Sequence, residues 1–162
     1  MIIEIPGEIL TKKSARMGKT WGGNRVVYDP DAELKQMLAY QIFKTHQMPV
    51  VPFFGPILMD MYIFKRIPDK IGGKLLKKET KEKYLEGKWA WQIKIDRDNI
   101  QKIYQDILQF GILHKKIIHD DSHISDGRTL KSWTIGESKV ILELKKLKKN
   151  DFRIPESIIS RI

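Results

Sequence analysis

DRDNIQKIYQDILQFGILHKKIIHDDSHI, running from Asp96 to Ile124, is the stretch whose reading decides the fold. Ile100, Ile103, Ile107 and Leu108 recur at helical spacing, so the pattern predicts an amphipathic helix from Asp98 to Phe110 with one buried stripe. Asp98 with Gln101 three residues later forms a capping-box pattern at its start, and Gly111 supplies its stop. The same stretch concentrates carboxylates: Asp96, Asp98, Asp106, Asp120 and Asp121. On an extended segment Asp96 and Asp98 point to the same side. If Asp98 caps the helix, Lys102 follows one turn on along that side, and Asp106 comes a further turn on, drifted by about 80° from Asp98. Two carboxylates and an ammonium can then meet at a helix N-terminus, a favourable place for phosphate. A return of the chain after Gly111 is expected to bring Asp120 or Asp121 beside Asp96 and Asp98. Two or three carboxylates plus a phosphate oxygen satisfy Mg²⁺, which prefers hard oxygen ligands and keeps several waters. The spacing alone leaves a plainer alternative open, in which Asp98 is only a cap, Lys102 its i+4 partner and Asp120–Asp121 a turn.

Those acids sit in a basic chain. Of 162 residues, 30 are Lys or Arg and 20 are Asp or Glu, a formal net charge of +10. The surplus favours a polyanionic partner such as DNA, RNA or an anionic membrane. A nucleic-acid binder ordinarily keeps carboxylates off its binding face, because they repel the phosphate backbone. A nuclease is the exception, since its carboxylates hold divalent cations that contact the scissile phosphate. The chain has no cysteine, which removes disulfides and thiolate metal sites and fits a reducing cytoplasm. Met1 to Pro6 is too short and interrupted for a signal peptide, and no apolar run reaches the length of a membrane-spanning helix.

Around the central helix, a first strand is expected over Ile2 to Ile5 and a mobile basic loop over Thr11 to Asn24, carrying Lys12, Lys13, Arg16 and Lys19. Asp29 is expected to cap a helix from Pro30 to about His46, with Leu34, Leu38 and Ile42 on its buried face. Ile57 to Phe64 reads as a buried strand. Residues 66 to 88 form a basic insertion with Lys74, Lys77 and Lys78, expected as a long loop or weak helix that contacts DNA. Trp89, Trp91, Ile93 and Ile95 alternate as a short strand. Asp126–Gly127 predicts a two-residue hairpin turn between Ser122–Ser125 and Arg128–Ile135, and Val140, Leu142 and Leu144 alternate in a last strand before a basic tail from Lys145 to Lys149. His119 and His123 stand four apart, but on a loop and strand that spacing is not expected to bring them together for zinc. Gly18 to Gly23 lacks the preceding glycine and strand of a phosphate loop, and Trp21 is expected to pack on the core or stack on bases.

Asp96-Arg97-Asp98-Asn99-Ile100-Gln101-Lys102, then Asp106, then Asp120-Asp121-Ser122-His123-Ile124, resembles the signature of the RusA family of Holliday-junction resolvases: D-x-D-N-hydrophobic-x-K, a later Asp, then D-D-[SA]-x-hydrophobic. The resemblance is specific from Asp96 to Ile124 and compatible with most of the chain. It implies an α+β fold: a single compact RusA-like domain over 1–162, with a mixed β-sheet packed against two main helices. It also implies a bacterial or bacteriophage-encoded, cytoplasmic homodimer that uses Mg²⁺, with Mn²⁺ able to substitute, to cut four-way DNA junctions by paired symmetric nicks in DNA recombination and repair. Carried over residue by residue, Asp96, Asp98 and Asp121 would be the metal-holding acids and Lys102 the catalytic lysine, with Asp120 and Asp106 as weaker candidates. The family often has Pro where Ile95 stands, an apolar residue at Arg97 and Gln at His123, so the resemblance is weakest on junction and sequence preference. A non-catalytic basic nucleic-acid-binding module and a flap or fork nuclease of the same fold are the competing expectations.

Overall fold

Alternation builds the sheet. The structure, a computed structural model, describes residues 1–10, 16–19, 22–23, 25–86, 97–110 and 115–148, with backbone alone for 16–19, 26–28 and 97. In chain order the elements are β1 (Ile2–Pro6), β2 (Arg16–Lys19), β3 (Arg25–Tyr28), α1 (Ala32–Thr45), β4 (Ile57–Arg66), β5 (Lys70–Ile71), β6 (Lys74–Leu75), α2 (Lys78–Leu85), α3 (Arg97–Gln109), β7 (Ile124–Asp126), β8 (Thr129–Thr134) and β9 (Lys139–Lys146). β9 lies between β1 and β4 and is antiparallel to both; β7 and then β8 run parallel to β4 along its other edge. The sheet is therefore mixed, and the fold is α+β.

Register puts one apolar face together. Ile3 lies opposite Leu142 and Ile5 opposite Val140, while Met59, Met61 and Ile63 lie opposite Leu144, Leu142 and Val140. All are buried, as the period-2 rule requires of residues that share a face. Leu38, Ala39 and Ile42 of α1 and Ile100, Ile103, Ile107 and Leu108 of α3 join the same cluster, so the expected stripes are the observed ones. Tyr104 is buried with them; its hydroxyl accepts the Leu10 N–H at 3.5 Å, and burial pushes its pKa up to about 12. Among the described residues no helix is long and apolar enough to cross a membrane.

Several local expectations are corrected. Within the segment expected as a mobile basic loop, the described residues 16–19 form strand β2, antiparallel to β3, with Arg16 opposite Tyr28 and Lys19 opposite Arg25. Gly23, at φ 80°, supplies the turn, and Val26, Val27 and Tyr28 favour the extended strand. Asp29 does not cap α1, which begins at Ala32 after Asp31; the Asp29 carboxylate instead accepts the Asp31 N–H at 2.9 Å and meets the Lys35 ammonium. α3 begins at Arg97, so Asp98 occupies its first turn instead of capping it. The 66–88 insertion, expected as a long loop or weak helix, does hold the helix α2 but adds a strand pair: β5 and β6 pair around Gly72–Gly73, and α2 docks on β8 through an edge-to-face contact of Tyr84 with Trp133, centroids 5.0 Å apart. β9 continues through Lys146, which shortens the expected tail. Lys12, Lys13, Trp21, the Trp89–Ile95 strand and Asp96 lie outside the described residues.

The Asp126–Gly127 hairpin does not form. β7 and β8 do not pair with each other; both add to β4, Ile57 facing Ile124 and Met61 facing Thr129. Gly127 is where the edge crosses close over β4: a Cβ there would lie 1.9 Å from the Met59 carbonyl oxygen, at a φ of +154°. Asp60 fastens the crossing, accepting the Arg128 N–H at 2.7 Å and its guanidinium at 3.2 Å. Burial alone would raise the Asp60 pKa, but these bonds outweigh it and hold the carboxyl below its usual range. Gly127→Ala is accordingly expected to cost about 2–3 kcal/mol, the range for overpacking a closed site, read as a fall in thermal midpoint with near-native circular dichroism before the transition.

Candidate active site on helix α3 and the Asp120–Asp121 turn

α3 carries its candidate site residues on the margin of its buried stripe. Asp98 in the first turn and Lys102 one turn on are both exposed, while Ile100, Ile103 and Ile107 between them anchor the helix in the core. A carboxylate in a helix's first turn is favoured by the helix dipole, and a helix N-terminus in general suits a phosphate.

Asp106, eight residues beyond Asp98 and so about 12 Å further along the helix, has a different role. Its Oδ2 accepts from the Lys35 ammonium at 2.7 Å, and Lys35 also donates to Asp29 Oδ2 at 2.6 Å. The Lys35 side chain is only 7 % exposed. Burial acts to lower its pKa, but the carboxylates of Asp106 and Asp29 outweigh burial and raise it above the ordinary value of 10.5. Asp106 thus serves a clasp between α1 and α3. Sequence reasoning missed Lys35, although a signal was there: it stands three residues before Leu38 and seven before Ile42, on the buried stripe itself.

The second acid group is held at the far end of α3. The N–H groups of Ile117 and Ile118 both donate to the Leu108 carbonyl, at 3.1 and 3.2 Å. Asp121 N–H donates to the Gln109 side-chain oxygen at 3.1 Å. Asp120 precedes a short 3₁₀ turn, Asp121–His123, and caps it by accepting the Ser122 N–H at 3.0 Å. Hydrogen bonding from the Ser122 side chain, together with this backbone bond, holds the Asp120 carboxyl below its usual range. Asp121 keeps its side chain exposed. Gln109 lies eleven residues beyond Asp98, about 16 Å of helix rise. The turn is thus tied back onto α3 through Leu108 and Gln109, while Asp96, beside which Asp120 or Asp121 is expected, lies outside the described residues. Among the described residues no group of three His, Cys, Asp or Glu side chains stands ready to hold a metal ion. The donors nevertheless suit a hard divalent cation, being exposed carboxylates.

Two further features border this turn. A cleft of about 460 Å³ is lined by Asp29, Lys35, Asp106, Gln109 and Lys116, so Gln109 links the clasp to Asp121. His119 and His123, expected apart, are stacked with centroids 5.6 Å apart and an interplanar angle of 27°, because the 3₁₀ turn between them folds the chain back. Of the basic residues expected on DNA, Lys74, Lys77 and Lys78 are exposed on β6 and at the start of α2, and Arg16 and Lys19 bound strand β2.

The family model described as endodeoxyribonuclease RusA matches residues 6–145, from the end of the first strand through both acid groups to all but the last residue of the final strand. No curated protein matches the chain.

Proposed function

The chain belongs to the RusA family of endodeoxyribonucleases, and from that premise we propose a Mg²⁺-dependent homodimer that resolves four-way DNA junctions by paired symmetric nicks. It is an endodeoxyribonuclease of a family that acts on Holliday junctions with a divalent metal. The carrying observation is that one family match takes in the Asp96–Lys102 run and the Asp120–Asp121 turn together. We take residues 1–162 as one RusA-like domain working in the cytoplasm of a bacterium or a phage-infected cell.

Asp96, Asp98 and Asp121 are assigned to hold the metal, with Mn²⁺ able to replace Mg²⁺. When bound, the ion supplies an activated water near neutral pH and neutralises charge on the phosphate. Lys102, on the same side of α3 as Asp98, donates to a non-bridging phosphate oxygen and stabilises the charge that grows there. The N-terminus of α3 aligns the phosphate by its dipole. Lys12 and Lys13, Arg16 and Lys19 of strand β2, and Lys74, Lys77 and Lys78 of the insertion hold the arms through phosphate contacts. A junction cut at two symmetric places requires two sites related by a two-fold axis, which a homodimer provides.

Cleavage of four-way, forked and linear DNA should be compared with Mg²⁺, Mn²⁺ and EDTA. Paired nicks on the four-way substrate, dependent on metal, are the expected result. Preference for forks would transfer the assignment to a flap or fork nuclease, and binding without cleavage of any branched DNA would overturn it.

A further inference from the structure

We propose that Phe54, His119 and His123 form a stacking platform for one unstacked DNA base beside the scissile phosphate. The three rings pack on one another at the surface. Phe54 meets His119 edge-on at 5.4 Å and His123 edge-on at 4.7 Å, and the two imidazoles stack. Phe54 is 60 % exposed and His119 is also exposed, although the core is close by and contains many apolar residues. The rings are held rigidly. Phe53 N–H donates to the Ile117 carbonyl at 2.8 Å and His119 N–H donates to the Phe53 carbonyl at 3.0 Å, so the loop before β4 and the acid-bearing segment move as one piece. His123 Nδ1 is shut from solvent with no hydrogen-bond partner among the described residues, and packing against Phe54 and His119 holds that ring in place.

Position identifies the occupant. Asp120 and Asp121 lie between the two histidines in the chain, so anything reaching the platform is adjacent to two carboxylates, of which Asp121 is assigned to the metal. A phosphate on the platform would be repelled by those carboxylates, whereas a base is uncharged and presents a π-face. Zinc is not the occupant, since no third ligand joins the two imidazoles among the described residues. Linear duplex keeps its bases stacked inside. A branch point releases them cheaply, so the platform reads branching without reading sequence, because every base has a π-face. The proposal rests on the branched-DNA reading above and deepens it.

The test is binding in EDTA to a four-way junction carrying 2-aminopurine at each nucleotide flanking the branch. The wild-type protein is expected to change the fluorescence at one such position. Phe54→Ala with His119→Ala should remove most of that change and weaken junction binding roughly 5- to 100-fold, the range for losing one stacked base. Binding to linear duplex should not alter. An abasic site at the responding position should weaken the wild type by a similar factor and leave the double variant indifferent. Phe54→Trp keeps a ring and should retain binding, which separates stacking from a folding loss. No fluorescence change at any branch position, or equal sensitivity of wild type and double variant to the abasic site, would overturn the platform. Cleavage of the same junction by the wild type with Mg²⁺ judges the nuclease reading separately.

Discussion

Asp121→Asn is expected to cut junction cleavage by on the order of 10²- to 10³-fold, the loss seen when one charge-handling group is removed from an active site. Asp98→Asn should do the same. Neither change threatens the fold. Asp121 is exposed and is held through its backbone N–H, which the substitution retains. Asp98 is exposed in the first turn of α3, where losing the charge costs about 0.3–1 kcal/mol of dipole interaction. Asp120→Asn serves as the control. Its carboxylate accepts the Ser122 N–H, and an asparagine oxygen can accept the same bond. If Asp120 only shapes the turn, its variant cuts at near-normal rate while the other two fail. Single-turnover cleavage measures the rate, and binding in EDTA measures affinity. Affinity should hold or tighten in the inactive variants, since each removes a negative charge near phosphate. Near-normal cleavage by Asp98→Asn or Asp121→Asn would remove that residue from the metal site.

What was legible in the sequence follows from the range of the forces involved. The α3 stripe and the alternating faces of β1, β4 and β9 were readable because periodicity reports which side of an element is buried. The Asp126–Gly127 hairpin was misread because turn chemistry is local, whereas strand partners are chosen by the sheet. Gly127 is needed for its missing Cβ against Met59, which no inspection of neighbours along the chain reveals. Asp29 was misread as a cap because its competitor for the carboxylate, Lys35, is six residues away and a helical lysine is ordinarily solvated. At the site, the motif residues were legible as types and spacings. The placement of Asp121 was not, because it depends on how residues 117 and 118 hydrogen-bond to the end of α3. The histidine pair was dismissed because spacing of four matters on a helix, and here a 3₁₀ turn does the folding back instead.

Lys35→Met is expected to destabilise the protein by about 3–5 kcal/mol, the cost of breaking a buried ion pair from one side. The lower end applies, because Asp29 is 41 % exposed and water can compensate it, while Asp106 at 17 % is left mostly desolvated without a counter-charge. For a chain of this size that corresponds to roughly 6–12 °C in the thermal midpoint. Adding Asp106→Leu should recover much of the loss, since replacing both partners by apolar groups removes the stranded charge. The pH dependence is separable. The folded-state pKa of Lys35 lies above the ordinary 10.5, so its contribution is whole below that value and disappears as pH rises through the folded one. The stability gap between wild type and Lys35→Met should therefore stay constant from neutral pH up to about 10 and narrow above 10.5. A gap within about 0.5 kcal/mol at neutral pH, the range of an ordinary surface substitution, would show that the clasp is not a stabilising element. If the clasp holds α3 in place as its geometry indicates, the folded fraction of Lys35→Met should also cleave more slowly at saturating protein. The helix carrying Asp98 and Lys102 would then be fixed by its apolar stripe alone.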